Sequence, residues 1–345
     1  MTDDNFKAAI ETRLADWLNT QEAAAPTDEA KLLLKRIQSL VLRAGKRSRP
    51  TLLHLTYQAY GGKHPNQLID IGLAIELHHQ FLLVHDDIMD NDTVRYDGPN
   101  MMGYYQADFL PQAPEIPPAM ALLAGNLLYT YANQAILDHQ QLSADQKVTL
   151  LALLQDVNLQ VHAGQQLDIL NIFALQPVIT KDKLVLTDLL KTASYSVNLP
   201  MQMAAELLQL NPEERQKIST FAKSFGVLYQ LVDDHSDYFP NSSSFNTHPK
   251  YRDFPQGKIT YPLLVALETA DSDDQAVLRK YIGQKDTPYD TMLQITNILE
   301  ACGAKSASKQ LIGSYFEQTE AALSKLAISS ESKQHVGSIL ANYRV

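Results

Sequence analysis

Two short acidic clusters, Asp86-Asp87-Ile88-Met89-Asp90 and Asp233-Asp234-His235-Ser236-Asp237, share the spacing Asp-Asp-x-x-Asp and stand far apart in the chain. Each follows a predominantly apolar, proline-free run, Ile75 to His85 and Phe221 to Val232, and so is predicted to end a helix long enough to be buried. On a helix, positions i and i+4 share a face and i+1 meets i+4 as an i,i+3 neighbour, so each cluster crowds three carboxylates onto one patch. Like charges so placed repel, and acids at a helix C-terminus oppose the macrodipole. A hard cation relieves both penalties. Oxygen-rich sites with spare positions suit Mg²⁺, which takes one or two carboxylates together with phosphate oxygens and water. Either cluster alone reads more simply as a solvated helix end. As a pair they suggest a cage for a diphosphate, and they make sense only if distant segments share one cavity.

That requirement decides the fold class. A chain of 345 residues exceeds the usual single-domain size, which makes two domains the default. Helix-like apolar periodicity nevertheless recurs from Ala30 to Leu340, and Val and Ile do not alternate with polar residues over strand-length runs. The sequence therefore predicts one all-α domain over residues 1–345, a helical bundle around a central cavity. A net charge of −10 disfavours nucleic acid as a partner. One cysteine, Cys302, excludes an internal disulfide framework and fits a reducing compartment. The start has neither a basic region nor an apolar core, and the apolar stretch Ala119 to Leu137 is interrupted by Gly125, Asn126, Asn133 and Gln134. The expectation is a cytoplasmic protein without a membrane span.

Pro26 and the surrounding Ala23 to Glu29 separate a first helix from a second, and Gly61-Gly62-Lys63-His64-Pro65 ends the next. The longest irregular stretch is Asp97 to Pro118, directly after the first acidic cluster, and a second, Pro240 to Gly257, follows the other. Their matched positions favour lids over a shared site. Phosphate also needs positive charge. Arg43-Ala44-Gly45-Lys46-Arg47-Ser48-Arg49-Pro50 holds four cations; Gly45 lets the backbone approach an anion, Lys46 offers a point charge and Arg49 a bidentate fork. Read alone, the run is equally a solvated basic face. Arg95 and Lys258 sit beside the two acidic loops.

Taken in order, Gly45-Lys46-Arg47-Ser48-Arg49-Pro50, His79, Asp86-Asp87-x-x-Asp90, Lys191-Thr192, Gln230-x-x-Asp233-Asp234-x-x-Asp237 and Gly257-Lys258-Ile259-Thr260-Tyr261-Pro262 resemble the motifs of the trans-isoprenyl diphosphate synthases, or polyprenyl synthetases. The match spans about Leu33 to Leu264, and Gly164-Gln165-Gln166-Leu167-Asp168 resembles a further family segment. The resemblance implies the all-α isoprenoid synthase fold, a homodimer, and Mg²⁺-dependent head-to-tail condensation of isopentenyl diphosphate with an allylic diphosphate of C5 to C15. It implies three Mg²⁺, with Asp86, Asp90 and Asp233 as direct ligands and Asp87, Asp234 and Asp237 supporting them. It implies that Lys46, Arg49 and His79 hold isopentenyl diphosphate, and that Arg95, Lys191 and Lys258 hold the allylic diphosphate. Thr192 and Gln230 would then lie near the reacting carbons.

Three positions depart from the family pattern. Arg95 is followed by Tyr96 where a second arginine is usual, Gly125-Asn126 stands for Gly-Asp, and Thr247-His248 for Gly-Lys. The resemblance further implies that residues four and five before the first cluster, here Leu82 and Phe81, help floor the cavity for the growing chain. Neither is small, which implies a short product, C20 or C15. Two alternatives remain open at this stage. One is a subunit of a heteromeric prenyl synthase; the other is a class I terpene cyclase, although the Asn/Ser/Glu triad of the latter is absent where Asp233 to Asp237 stand.

Overall fold

The structure, a computed structural model, describes residues 1–43, 45–109, 112–172, 179–239 and 251–345. Thr247-His248 and the Asn241 to Ser244 run lie outside these described residues. Apart from one two-stranded ribbon, the regular elements among them are helices, as expected of an all-α chain. They form two compact units, Met1–Leu153 with Met203–Gln209, and Leu154–Gln202 with Leu210–Val345.

The first unit contains α1 (Asp3–Ala23), α2 (Asp28–Val41), α3 (Ser48–Ala59), a 3₁₀ turn (Pro65–Leu68) and α4 (Ile69–Asp90). The ribbon follows, β1 (Val94–Arg95) paired antiparallel with β2 (Gly98–Pro99), then α5 (Met101–Phe109), α6 (Ile116–Leu137) and the start of α7 (Ala144–Ile172). Thr2 and Thr27 cap α1 and α2 by accepting the amides of Asn5 and Ala30, as short hydroxyl side chains do. Helix α4 is the axis of the unit. Every residue from Ile71 to Phe81 is buried, so no face of that stretch meets solvent, and α4 packs against α1, α3 and α6. Gly125 permits the close approach of α6, since a Cβ there would stand 2.3 Å from the His85 ring. The stretch read from its prolines as irregular, Asp97 to Pro118, holds the nine-residue α5 and the start of α6. Pro117 and Pro118 sit in the first turn of α6, where their missing amides cost nothing.

The second unit contains the rest of α7, then α8 (Lys181–Asp188), a π-helical segment (Leu189–Asn198) and the start of α9 (Leu199–Leu207), which run on without a loop; from Met203 onward α9 is counted with the first unit. After them come α10 (Pro212–Tyr238), α11 (Asp253–Gln256), α12 (Tyr261–Thr269), α13 (Ser272–Tyr281), α14 (Tyr289–Ala301), α15 (Ala304–Ser324) and α16 (Ser330–Ala341). Asn211 caps α10 through the Glu214 amide with Pro212 at the first helical position. The packing partners of α10 are the π-helical segment and α15. Its end is buried with α12 to α14 in a core around Tyr238, Phe254, Leu263 and Ile295.

Candidate active site

In the first unit the acidic cluster closes α4. Asn91 ends the helix in the left-handed conformation, φ 54°, and returns its amide to the carbonyls of Asp87 and Ile88. Its three carboxylates are not equivalent. Asp87 is buried and accepts from Arg95 Nε at 2.8 Å and from a terminal guanidinium nitrogen of Arg95 at 2.5 Å, both on Oδ1. The same guanidinium lies 3.9 Å from Asp86. Burial pushes the Asp87 carboxyl up to about 6, and the Arg95 contacts only partly offset it. Asp86 and Asp90 are half-buried at the helix end.

Arg95 is carried by the ribbon, and the ribbon is held from the basic run. Arg43 donates to the Arg95 carbonyl at 2.9 Å and to the Tyr104 hydroxyl at 2.7 Å, and a Cβ at Gly98 would collide with the Arg43 guanidinium at 2.9 Å. Arg47 is buried, paired with Glu76 of α4 at 2.8 Å and donating to the Val41 carbonyl. Two of the four cations in that run therefore serve the fold. Arg49 lies 3.1 Å from His79 Nε2, which brings together two residues assigned to one substrate; Lys46 is exposed in the loop ahead of α3. Burial holds His79 well below its ordinary value, and the cations Arg49 and Arg95 push the same way. A neutral His79 accepts from the Arg49 guanidinium, and the field around it is positive. Phe81 is buried against Tyr129 of α6 at 5.1 Å between ring centroids and against His85 at 4.7 Å, while Leu82 is half-buried.

In the second unit the acidic cluster closes α10. Asp237 is buried, and both its oxygens accept backbone amides, from Arg252 at 3.0 and 3.1 Å and from Asp253 at 3.2 Å. It fixes the entry to α11 and leads from there to Gly257, whose φ of 78° favours glycine, and Lys258. Asp234 accepts from Gln230 Nε2 at 2.7 Å. Burial raises its carboxyl well above the usual range, and the charges of Asp188 and Asp253 add to that. Burial, with Asp237 beside it, pushes the Asp253 carboxyl up to about 7.

Lys191 and Thr192 lie in the π-helical segment, and Lys191 donates to Asp168 of α7 at 2.5 Å. Two glycines hold that segment in place. A Cβ on Gly164 of α7 would stand 2.3 Å from the Lys191 amide nitrogen, and one on Gly226 of α10 would stand 2.3 Å from the Ala193 Cβ. Pro200, just beyond, has no amide to return to the preceding turn. π-Helical departures from an α-helix are frequent at functional sites. The sequence reading did not pick out Asp188 and Asp253. Asp188 stands three residues before Lys191, a spacing that signals a shared helix face, and Asp253 stands four before Gly257, inside what reads as a loop.

These donors suit a hard divalent cation. They are carboxylates in excess of the cations paired with them; Asp87 Oδ2 is buried without a hydrogen-bond partner among the described residues, and burial raises the Asp188, Asp234 and Asp253 carboxyls, with neighbouring aspartates adding to each shift. Among the described residues no three His, Cys, Asp or Glu side chains converge as a ready-made cage. Mg²⁺ does not need one, since it keeps several waters and binds through one or two carboxylates plus substrate phosphates.

The sequence matches the polyprenyl synthetase family over residues 30–299. It is 28% identical to a short chain isoprenyl diphosphate synthase of Methanothermobacter thermautotrophicus, over 79% of this chain and 78% of that protein. It is 25% identical to an all-trans-nonaprenyl-diphosphate synthase of Rhodobacter capsulatus, over 89% and 86%. A geranylgeranyl pyrophosphate synthase from Corynebacterium glutamicum, crystallised with isoprenyl diphosphate and magnesium, shares the fold with a TM-score of 0.89, at 23% identity over 100% of this chain and 99% of that one.

Proposed function

The chain belongs to the polyprenyl synthetase family, and from that premise we propose that it condenses isopentenyl diphosphate head-to-tail with an allylic diphosphate of C5 to C15, giving a trans product of C20 or C15. The observation that carries this reading is the repetition of one arrangement: in each unit a long helix ends in Asp-Asp-x-x-Asp, with Arg95 paired to Asp87 in the first and Asp237 fixing the turn that leads to Lys258 in the second.

Asp86, Asp90 and Asp233 would hold Mg²⁺, three ions in all, with Asp234 supporting them. When bound, the metal supplies positive charge to the diphosphate that departs. Asp87 steadies Arg95, and Asp237 sets the loop that carries Lys258. Lys191, Lys258 and Arg95 bind the allylic diphosphate, while Lys46, Arg49 and neutral His79 bind isopentenyl diphosphate. The allylic C–O bond breaks with its electron pair leaving on the diphosphate. The double bond of isopentenyl diphosphate then attacks the cationic carbon, and loss of a proton restores an alkene. Gln230 commits its amide nitrogen to Asp234, which leaves the amide oxygen to face developing positive charge with the Thr192 hydroxyl. No helix among the described residues is long and apolar enough to cross a membrane; action in the cytoplasm as a homodimer belongs to the proposed reading.

Purified protein incubated with Mg²⁺, isopentenyl diphosphate and C5, C10 or C15 allylic diphosphates tests the reading. A linear diphosphate of C15 or C20 supports it and one of C30 or more overturns the chain length. A hydrocarbon identifies a terpene cyclase, and no product identifies a subunit that needs a partner.

A further inference from the structure

The acidic cluster of the second unit has a histidine at its centre. His235 is buried, and its Nδ1 lies 3.0 Å from the Ser308 hydroxyl of α15, which is buried too. The pair stands between two apolar clusters. Val232 and Ile312 belong to one, Phe239 and Ala304 to the other. His235 comes three residues after Val232 and four before Phe239, and Ser308 is midway between Ala304 and Ile312, so the hydrogen bond falls where the clusters adjoin. Burial, with Lys309 and Lys305 nearby, holds the imidazole at about 4; it is neutral, and nitrogen and hydroxyl meet as one donor and one acceptor. Apolar contacts are non-directional, whereas a buried hydrogen bond has one geometry and leaves a polar atom stranded when it is unmade. A single polar contact in an apolar seam can thus fix the register of two helices. At about 100° per residue, Asp233 and Asp237 each lie about 160° round the axis from His235, one on either side, so the contact grips the back of the turn whose front bears the acids. Helix α15 also packs against α12, which opens three residues after Lys258.

We propose that His235 is a positioning residue for metal binding, its hydrogen bond to Ser308 holding the last turn of α10 at the height and rotation that present Asp233 to Mg²⁺. This rests on the proposed function and deepens it. Mg²⁺ is the cation for which such precision counts, because it demands near-octahedral geometry at short distance, whereas Ca²⁺ accepts an irregular shell. The pair touches no substrate. It acts through the helix, by fixing a carboxylate on the opposite face.

Two variants of the full chain separate position from packing. His235→Leu combined with Ser308→Ala replaces the polar pair by apolar groups, a change that leaves stability nearly neutral or improved. His235→Asn keeps an acceptor where Nδ1 stood and leaves a gap where the ring was. Mg²⁺ or Ca²⁺ is titrated calorimetrically into protein in the presence of the unreactive thio analogue of geranyl diphosphate, and melting temperature is read without metal. In the double variant the Kd for Mg²⁺ should rise roughly tenfold, the lower end of what residues orienting a metal ligand are worth. Its melting temperature should equal or exceed that of wild type, and its Ca²⁺ affinity should stay within about threefold. His235→Asn should melt lower yet bind Mg²⁺ within about threefold of wild type. Metal affinity that follows melting temperature in both variants makes the pair merely structural and overturns the assignment, as does unchanged Mg²⁺ affinity in the double variant. If the wild-type protein does not bind Mg²⁺ with the analogue, the functional reading falls and His235 falls with it; if wild type binds and the double variant matches it, only His235 falls.

Discussion

Replacing Gly164 with alanine isolates the geometry that presents Lys191. The added Cβ would stand 2.3 Å from the Lys191 amide nitrogen and 2.8 Å from Lys191 Cα, about 1.1 Å short of ordinary contact at 3.4 Å. Both obstacles are backbone, so no side-chain rotation relieves them and α7 or the π-helical segment must move by about 1 Å. Overpacking of this kind costs roughly 1–3 kcal/mol. The larger effect is on turnover, because a misplacement of about 1 Å can cost on the order of 100-fold. Gly164→Ala should retain helical circular dichroism, lose several degrees of melting temperature, and lose roughly 100-fold in kcat with wild-type-like binding of isopentenyl diphosphate. Gly226→Ala, whose Cβ would meet Ala193 at 2.3 Å, should behave alike from the opposite face. Gly313→Ala is the control: nothing lies within 4 Å, so the helix should gain up to about 1 kcal/mol and activity should not change. Wild-type kcat in both Gly164→Ala and Gly226→Ala would refute the claim that this close packing places Lys191 and Thr192.

Asp86→Ala and Asp233→Ala should each nearly abolish turnover while leaving the fold intact, and should stabilise the metal-free protein slightly by relieving repulsion; normal rates in either would remove both clusters from the mechanism. Metal-free stability should rise on acidification from pH 8 to 6.5. Folded Asp253 titrates near 7 and Asp87 near 6 against an ordinary value of 3.8, so the folded state binds more protons there and stability is lost as pH rises through those values. His235, held near 4 in the fold, acts oppositely but only below about 6.5. Melting curves in chelator should show the rise, Asp253→Asn should remove much of it, and a flat profile in the native sequence would contradict these environments. Phe81→Ala should lengthen the product modestly, because Tyr129 stays 5.1 Å from the vacated ring position, and Phe81→Ala with Tyr129→Ala should lengthen it further. Chromatography after dephosphorylation reads both, and identical product lengths would show that this pair is not the floor.

The helices and the acidic clusters were legible because they depend on periodicity and on residue type, which a sequence displays. Pro26 within Ala23 to Glu29 announces the break between α1 and α2, and the apolar run before Asp86 announces a buried α4. The allocation of charges was not legible. Nothing local distinguishes Arg47, locked to Glu76, from Arg49 beside His79, or Asp237, spent on the amides of Arg252 and Asp253, from Asp233 one turn earlier. Those distinctions depend on partners 15 to 30 residues away. Helix α5 was hidden for another reason: the prolines around it raised the apparent disorder of a stretch whose middle, Met101–Phe109, contains none.

The uninterrupted run from Lys181 to Leu207 has a consequence for reading side-chain directions along it. Each turn of the Leu189–Asn198 segment takes in roughly one more residue than an α-turn, so a helical wheel carried through it at 100° per residue falls out of phase by about that angle for every turn. Faces assigned to α9 by extending the pattern of α8 are therefore wrong, and any design or alignment across this run has to restart its count after Asn198. The same slack makes the segment a place where the chain can lose one residue and still close its hydrogen-bond ladder. The helix would survive such a deletion, while Lys191 and Thr192 would swing away from the faces of α7 and α10 that the two glycines open to them.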